Sequence, residues 1–165
     1  MHSIGEKIIY GSLGVMEIVD ISDQTVGEVT KKYYVLKEYA AESSSLTYVP
    51  QDNETLTSQM KPLLTEKEII EVIRRAKAEP ELSWIEDNRA RSEFYKRIIA
   101  SADRVKMLNM INSIYNTGKR REEEGKKNYI TDENCMKRAE QLIYSEFSIV
   151  LGIPEFEVPA FIENH

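Results

Sequence analysis

The chain has 165 residues, of which 41% are hydrophobic, and its net charge is −6. This length allows one ordinary domain or two small ones, and the hydrophobic content excludes wholesale disorder. No apolar run approaches the roughly 20 residues of a membrane span, and the first residues lack the order of a signal peptide. We therefore expect a cytoplasmic protein with no membrane partner. The single cysteine, Cys135, excludes a disulfide framework and a site with several thiolate ligands, so we predict a small buried side chain there and no metal or cofactor.

Short strands separated by turn residues are predicted for residues 1–62. Ile, Val, Tyr and Leu concentrate in four segments, which glycines and the run Glu42–Ser45 (ESSS) separate. The four segments are Lys7–Tyr10, Val15–Asp20, Lys32–Glu38 and Leu46–Val49. Strands this short and evenly spaced favour a small, strongly bent sheet or barrel. Such a module leaves an edge strand that can pair with another protein.

From Thr65 onward the hydrophobic period becomes that of helices. Thr65 and Glu68 have the spacing of a capping box, and Pro80 ends the helix that follows them. The sequence therefore predicts an α+β chain with two parts. A β module occupies residues 1–62, and a bundle of four to five helices occupies residues 65–165, with the seam near Pro62–Thr65.

Two later helices are also predicted. Ser101 or Asp103 caps the first of them, and Gly118 and then Gly125 loosen its end; the second begins near Thr131 and ends at Gly152. Their apolar faces are Val105, Leu108, Ile111 and Tyr115 in the first helix, and Met136, Ala139, Ile143, Phe147 and Val150 in the second. Pro154 allows a last helical turn, although Pro159 argues against one continuous helix over residues 154–164.

Trp84, the only tryptophan, is predicted to open a helix of its own. Ser83 and Glu86 have capping-box spacing, which places Trp84 in the first turn of a helix that reaches about Ala100. The periodicity puts Trp84 on one sector with Asn88, Arg91 and Tyr95, beside an apolar stripe of Ala90, Phe94 and Ile98. Two interpretations remain open: an ordinary core tryptophan that pins the helix, or an exposed ring with a binding role.

Positive charge is concentrated in residues 89–106. This segment has six basic side chains and two acidic ones, a net charge of +4 on an acidic protein. The basic residues are Arg89, Arg91, Lys96, Arg97, Arg104 and Lys106, and the acidic ones are Glu93 and Asp103. A large apolar ring beside guanidinium groups suits insertion into a nucleic-acid groove, whereas a solvated helix face is the alternative for any single charge cluster.

Both halves of the chain resemble the CarD/CdnL family of bacterial transcription regulators. In the β module the resemblance lies in residues 5–10 (GEKIIY), 33–37 (YYVLK) and 46–50 (LTYVP). In the helical half it lies in Trp84 before a basic helix, the stripe from Val105 to Tyr115, and residues 138–143 (RAEQLI) with 151–153 (LGI). The β module alone is less specific, because transcription-repair coupling factors carry a similar domain.

The resemblance implies a monomeric accessory factor with a Tudor-like β module. In that family the module docks on the RNA polymerase β subunit through an edge strand. The helical domain contacts promoter DNA at the upstream edge of the −10 element, where a tryptophan wedges into the minor groove and stabilises the open complex. On this sequence the edge strand is Leu46, Thr47, Tyr48 and Val49, and the wedge is Trp84. Such a protein is associated with the nucleoid through the polymerase.

The sequence departs from the family pattern next to the wedge. Basic residues commonly follow the tryptophan, whereas residues 85–88 are IEDN here, and Glu133 lies where a basic DNA-contacting residue is expected. Contacts with the DNA backbone are therefore assigned to Arg89 and Arg91, together with Lys96 and Arg97. Because the nearby carboxylates repel phosphate, we expect weak and largely sequence-nonspecific affinity for free DNA.

Two other classes of function remain as alternatives. A protein-interaction adaptor would bind polymerase or another partner through the β module without touching DNA, and the acidic residues near Trp84 favour it. An enzyme is disfavoured because the sequence has no phosphate-binding glycine loop, nucleophile elbow or metal-ligand cluster. Glu86 and Asp87 are adjacent, so they do not form an inward-facing acid and base pair on a helix.

Overall fold

The computed structural model describes residues 1–39 and 45–165. The chain divides into two compact units, Met1–Leu63 and Leu64–His165. This division falls inside the seam expected between Pro62 and Thr65. Among the described residues, no helix combines the length and the apolar character that crossing a membrane requires.

The first unit is a five-stranded antiparallel sheet in the order β4-β3-β2-β1-β5. Its strands are β1 (Lys7–Tyr10), β2 (Val15–Val26), β3 (Val29–Glu38), β4 (Leu46–Pro50) and β5 (Met60–Pro62). A short helix, α1 (Glu54–Thr57), lies between β4 and β5. The sheet is bent by an irregularity in β2 between Ile18 and Asp20, and it is open, so the barrel alternative is wrong.

All four predicted strands are present, but β2 and β3 are longer than predicted. They form one hairpin that closes with the pair Val26 and Val29, and Gly27 supplies the positive φ of +65° that its tight turn needs. The strand β5 was missed because three residues with one buried side chain, Met60, are too short to show alternation. Residues 42–44 of the predicted turn lie outside the described residues.

The buried face of the sheet forms the core of the first unit. These buried residues are Ile8, Tyr10, Met16, Ile18, Tyr34, Leu36, Val49 and Met60. They come from all five strands, so every strand of the sheet contributes an apolar side chain to this core.

The second unit is a bundle of helices. Its helices are α2 (Glu66–Ala78), α3 (Asn88–Ser101), α4 (Arg104–Glu123), α5 (Ile130–Leu151) and α6 (Val158–Asn164). Thr65 caps α2 with the predicted capping box, Asp103 caps α4, and Gly152 ends α5 in a left-handed conformation. The chain turns through a 3-10 segment at Glu155–Glu157 before α6, and Pro159 is tolerated because it lies in the first turn of α6.

The predicted start of α3, at Ser83 and Trp84, is wrong. Residues 80–87 are not helical, and α3 begins at Asn88 with Asp87 as its N-cap. An Asp87 carboxylate oxygen accepts a hydrogen bond from the Ala90 backbone N–H at 2.8 Å. Asp is as good an N-cap as Ser, so the sequence offers two competing starts. Other contacts, described below, hold the chain before Asp87 outside the helix. They favour the start at Asn88 over the predicted start near Trp84.

The helical core is close to the predicted one, with two differences. Ala90 is exposed, and the buried face of α3 is Arg91, Tyr95, Ile98 and Ile99. Tyr115, the last residue of the predicted stripe on α4, is 51% exposed. Gly118 lies inside α4, which continues to Glu123, whereas Gly125, with a positive φ of +74°, follows the end of the helix as predicted. The fully buried centre consists of Ile69, Ile73, Met110, Ala139, Phe147 and Val158.

Candidate functional site

Trp84 lies in the segment between α2 and α3, residues 79–87, which we call the Trp84 segment. Two buried polar side chains of α4 hold its first half. Asn109 Nδ2 donates to the Pro80 carbonyl at 3.0 Å, and Ser113 Oγ accepts from the Leu82 backbone N–H at 3.0 Å. Because buried polar groups are costly to leave unpaired, these contacts fix the path of the backbone toward Trp84.

Glu81 connects the Trp84 segment to α4 by further hydrogen bonds, which are exposed. Its carboxylate accepts from Asn116 Nδ2 at 2.7 Å and from Arg120 Nη2 at 3.1 Å. The Arg120 hydrogen bond, with that of Asn116, lowers the pKa of Glu81. Four contact residues, at positions 109, 113, 116 and 120, are three or four apart and so share one face of α4. This polar stripe was missed, although its helical spacing was visible in the sequence.

Arg91 binds the second half of the Trp84 segment. Its side chain is fully buried, and Nε donates to both carboxylate oxygens of Asp132 at 3.0 Å. Nη1 donates to the Ile85 carbonyl at 2.8 Å, and Nη2 donates to Asn88 Oδ1 at 2.8 Å. A buried guanidinium needs such pairing, and here it connects α3, α5 and the Trp84 segment at one point.

The Trp84 indole lies against this buried cation. Arg91 Cζ is 4.1 Å from the centroid of the Trp84 ring and 4.7 Å from that of Tyr129. The two aromatic centroids are 6.1 Å apart, with their planes 30° from parallel. Arg121 Cζ lies 4.3 Å from the centroid of Tyr129. Trp84 nevertheless remains 38% exposed, so it is neither a core residue nor a freely moving side chain.

Arg91 was predicted to contact the DNA backbone, and the structure contradicts this. A guanidinium with no exposed surface, already bound to Asp132, has no donor available at the protein surface. Arg104 is engaged in the same way, because it forms a two-pronged pair with Glu146 at 2.8–2.9 Å. The net charge of +4 over residues 89–106 therefore overstates the positive charge that a ligand would meet.

The other basic residues assigned to this surface are exposed on α3. They are Arg89, Lys96 and Arg97. Arg89 pairs with Glu93 at 3.3 Å one turn later, and this exposed ion pair is weak enough to open on binding. Glu86 and Asp87 are exposed beside Trp84, so negative charge lies close to the ring.

The second predicted site, β4, is the outermost strand of the sheet beyond β3. Leu46 is 44% exposed and Tyr48 is 47% exposed, and Tyr33 packs edge-on against Tyr48 with centroids 6.4 Å apart. Thr47 is half-buried. Val49 is fully buried, so its side chain belongs to the core and only its backbone is available to a partner strand.

In the described part of the chain, the acidic side chains, the histidines and the cysteine do not come together as a metal site. Across residues 1–39 and 45–165, no cluster of three or more His, Cys, Asp or Glu side chains is arranged to hold a metal ion. Cys135 is buried on α5, and burial raises the pKa of its thiol. A thiol that resists ionisation is a poor nucleophile, which agrees with the small buried side chain that was predicted.

No family model matches the chain, and no curated protein matches it at a significant level.

Proposed function

We propose that the protein is a non-enzymatic transcription regulator that binds the RNA polymerase β subunit and contacts promoter DNA near the upstream edge of the −10 element. In this proposal Trp84 acts as a wedge in the minor groove and stabilises the open complex. The observation that carries it is that Trp84 is 38% exposed while held against Arg91 and Tyr129. A rigid apolar ring at a surface is what insertion between base steps requires.

Insertion of the Trp84 ring is favourable only where the DNA is already distorted. Unstacking a base step costs a few kcal/mol, and a fork junction that the polymerase has already opened lowers that cost. One ring provides little sequence readout, because the minor groove distinguishes few base pairs. The proposed contact is therefore with the shape of the open promoter.

Phosphate contacts in this proposal are limited to the exposed cations of α3. These cations are Arg89, Lys96 and Arg97. The exposed carboxylates of Glu86 and Asp87 oppose phosphate binding. The expected affinity for free DNA is weak. Docking on polymerase compensates, because tethering raises the local concentration of the helical unit to the mM range for a short linker.

The proposed polymerase contact is the exposed edge of β4. An edge strand offers unpaired backbone N–H and C=O groups, so a strand of the partner can extend the sheet. Leu46 and Tyr48 add apolar surface beside those groups. A monomer suffices for this arrangement, since the proposed polymerase and DNA contacts each lie within a single chain.

The proposal is tested by replacing the wedge. Trp84→Ala should shorten the lifetime of polymerase open complexes, challenged with a DNA competitor, by about tenfold, which corresponds to ~1.4 kcal/mol. Tyr115→Ala is the matched control, because Tyr115 is an aromatic residue of the same unit and is 51% exposed. The control should leave the lifetime unchanged, and both variants should melt within a few degrees of the wild type. Equal lifetimes for Trp84→Ala and the wild type would refute the wedge.

One observation favours a second candidate, an adaptor that binds polymerase or another partner without touching DNA. Glu86 and Asp87 are exposed next to Trp84 and repel phosphate. For an adaptor, changes in β4 abolish polymerase binding, while Trp84→Ala leaves open complexes unaffected. The lifetime measurement therefore separates the two candidates.

A further inference from the structure

The most unusual feature of the helical unit is a fully buried arginine stacked on its only tryptophan. Arg91 Cζ lies 4.1 Å from the Trp84 ring centroid, within the range of a cation–π contact. A half-exposed indole without such a contact would sample several rotamers and would lose that freedom on inserting into DNA. Fixing the ring in advance removes this cost before binding.

We propose that Arg91 is a positioning residue for Trp84, holding the indole in its binding orientation in the free protein. The purpose of this positioning rests on the proposed function above, but the positioning itself is a property of the free protein. It replaces the DNA-contacting role that the sequence suggested for Arg91. The two roles exclude each other, because the guanidinium that supports the ring is buried beneath it.

The guanidinium is itself immobilised from three directions. Asp132 on α5 accepts from Nε, the Ile85 carbonyl accepts from Nη1, and Asn88 accepts from Nη2. These bonds fix both the position and the plane of the group. A lysine at this position would keep the charge beside Asp132 but would lose the planar fork that stacks on the ring.

Tyr129 supports the same cation from a second aromatic ring. Its centroid is 4.7 Å from Arg91 Cζ, and Arg121 lies over it at 4.3 Å. Arg121 is in turn anchored by donating to the Lys127 carbonyl at 2.9 and 3.1 Å. The side chains that support Trp84 therefore come from α3, which carries Arg91, and from the loop before α5, which carries Tyr129.

The test compares two identical substitutions at the two buried ion pairs of the helical unit. Arg91→Lys alters the pair beneath Trp84, while Arg104→Lys alters the pair of Arg104 and Glu146, whose further hydrogen bonds go to the backbone of Leu64 and Ala102 and not to the Trp84 segment. Both should lower the melting temperature. Only Arg91→Lys should raise the acrylamide quenching constant of Trp84 in the free protein, by at most about 2.6-fold, the ratio of full exposure to the present 38%. The anisotropy of Trp84 emission should fall in parallel.

A second variant keeps the test decisive if Arg91→Lys does not fold. Tyr129→Leu removes the second ring and leaves the Arg91 and Asp132 pair intact, so it should raise the quenching constant by a smaller factor. The proposal is overturned if the folded variants at Arg91 and Tyr129 keep the wild-type quenching constant and anisotropy. It is also overturned if Arg104→Lys changes them equally, since the effect would then be one of general destabilisation.

The same variants distinguish this inference from the proposed function. If Arg91→Lys loosens Trp84 and also shortens the open-complex lifetime, the positioning serves the wedge. If it loosens Trp84 while neither Arg91→Lys nor Trp84→Ala changes the lifetime, the positioning stands and the wedge function fails.

Discussion

Tyr95 lies one turn after Arg91 on the buried face of α3. Burial raises the pKa of its hydroxyl to about 12, and the negative charge of Asp132 adds to the increase, while Arg91 opposes it. The phenolate is disfavoured because it would be formed away from water and near a carboxylate. A residue predicted only to share a sector with Trp84 is thus part of the environment of the buried ion pair.

This pKa gives a prediction for the stability of the protein at alkaline pH. The folded state holds the Tyr95 proton more tightly than the unfolded state, whose pKa is 10.0. The resulting stability is fully present below about pH 10 and is lost as the pH rises toward about 12. We expect the free energy of unfolding to fall more steeply over that range in the wild type than in Tyr95→Phe. Urea denaturation at pH 9, 10 and 11 measures this, and identical slopes would contradict it.

At the level of elements, Gly118 marks a close approach between α4 and the loop that follows it. A Cβ atom added there would lie 2.7 Å from Asn128 Nδ2 and 2.8 Å from Oδ1. Asn128 also donates to Glu133 at 3.3 Å. The glycine that looked like a helix terminator is instead an interior residue that makes room for a neighbouring side chain.

Gly118→Ala should therefore raise the free energy of unfolding by less than a glycine-to-alanine change in a helix interior usually does. Alanine is normally better there by about 1 kcal/mol, but the close contact with Asn128 should cancel most of that gain. In the Asn128→Ala background the gain should return. A double-mutant cycle of unfolding free energies measures the coupling, which should be about 1 kcal/mol. A coupling of zero would show that Asn128 moves aside at no cost.

The edge strand β4 carries a separate prediction about binding. Tyr48→Glu should weaken binding to the polymerase β subunit by about 10- to 30-fold, because it places a charge in the centre of the proposed apolar contact. Val26→Glu is the control, since Val26 is 75% exposed but lies at the hairpin end of β2. Co-purification or interferometry with the isolated β subunit measures this. Binding that survives Tyr48→Glu would exclude β4 as the docking edge.

At the scale of the whole molecule, each unit contains its own candidate site. The contacts described for Trp84 and its supports all lie within Leu64–His165, and the candidate docking edge lies within Met1–Leu63. The helical unit also has its own core of buried residues. We therefore expect the environment of Trp84 to form in the helical unit by itself.

A fragment of residues 64–165 should accordingly fold and keep the Trp84 environment. We expect its tryptophan emission maximum and quenching constant to match those of the full chain, while it no longer binds the polymerase β subunit. Fluorescence and circular dichroism of the fragment measure the first point, and co-purification measures the second. A shifted emission maximum would mean that the sheet contributes to the site.

Much of the architecture was predictable because local patterns determine it. Alternating apolar residues predicted four of five strands, and the Thr65 and Glu68 spacing gave the start of α2 correctly. The start of α3 was not predictable in this way, because Ser83 and Asp87 offer equivalent local caps. Contacts from α4, such as Asn109 with the Pro80 carbonyl, keep the preceding chain out of the helix.

The sequence by itself determined the α+β division, the order of the elements and the presence of a lone tryptophan near basic residues. Only the tertiary structure decided which of those basic residues are accessible. Arg91 and Arg104 pair with Asp132 and Glu146, which lie 41 and 42 residues further along the chain. A local pattern contains no information on such distant partners, and a buried charge must find one. For that reason an apparent DNA-contacting arginine lies beneath the tryptophan that it supports.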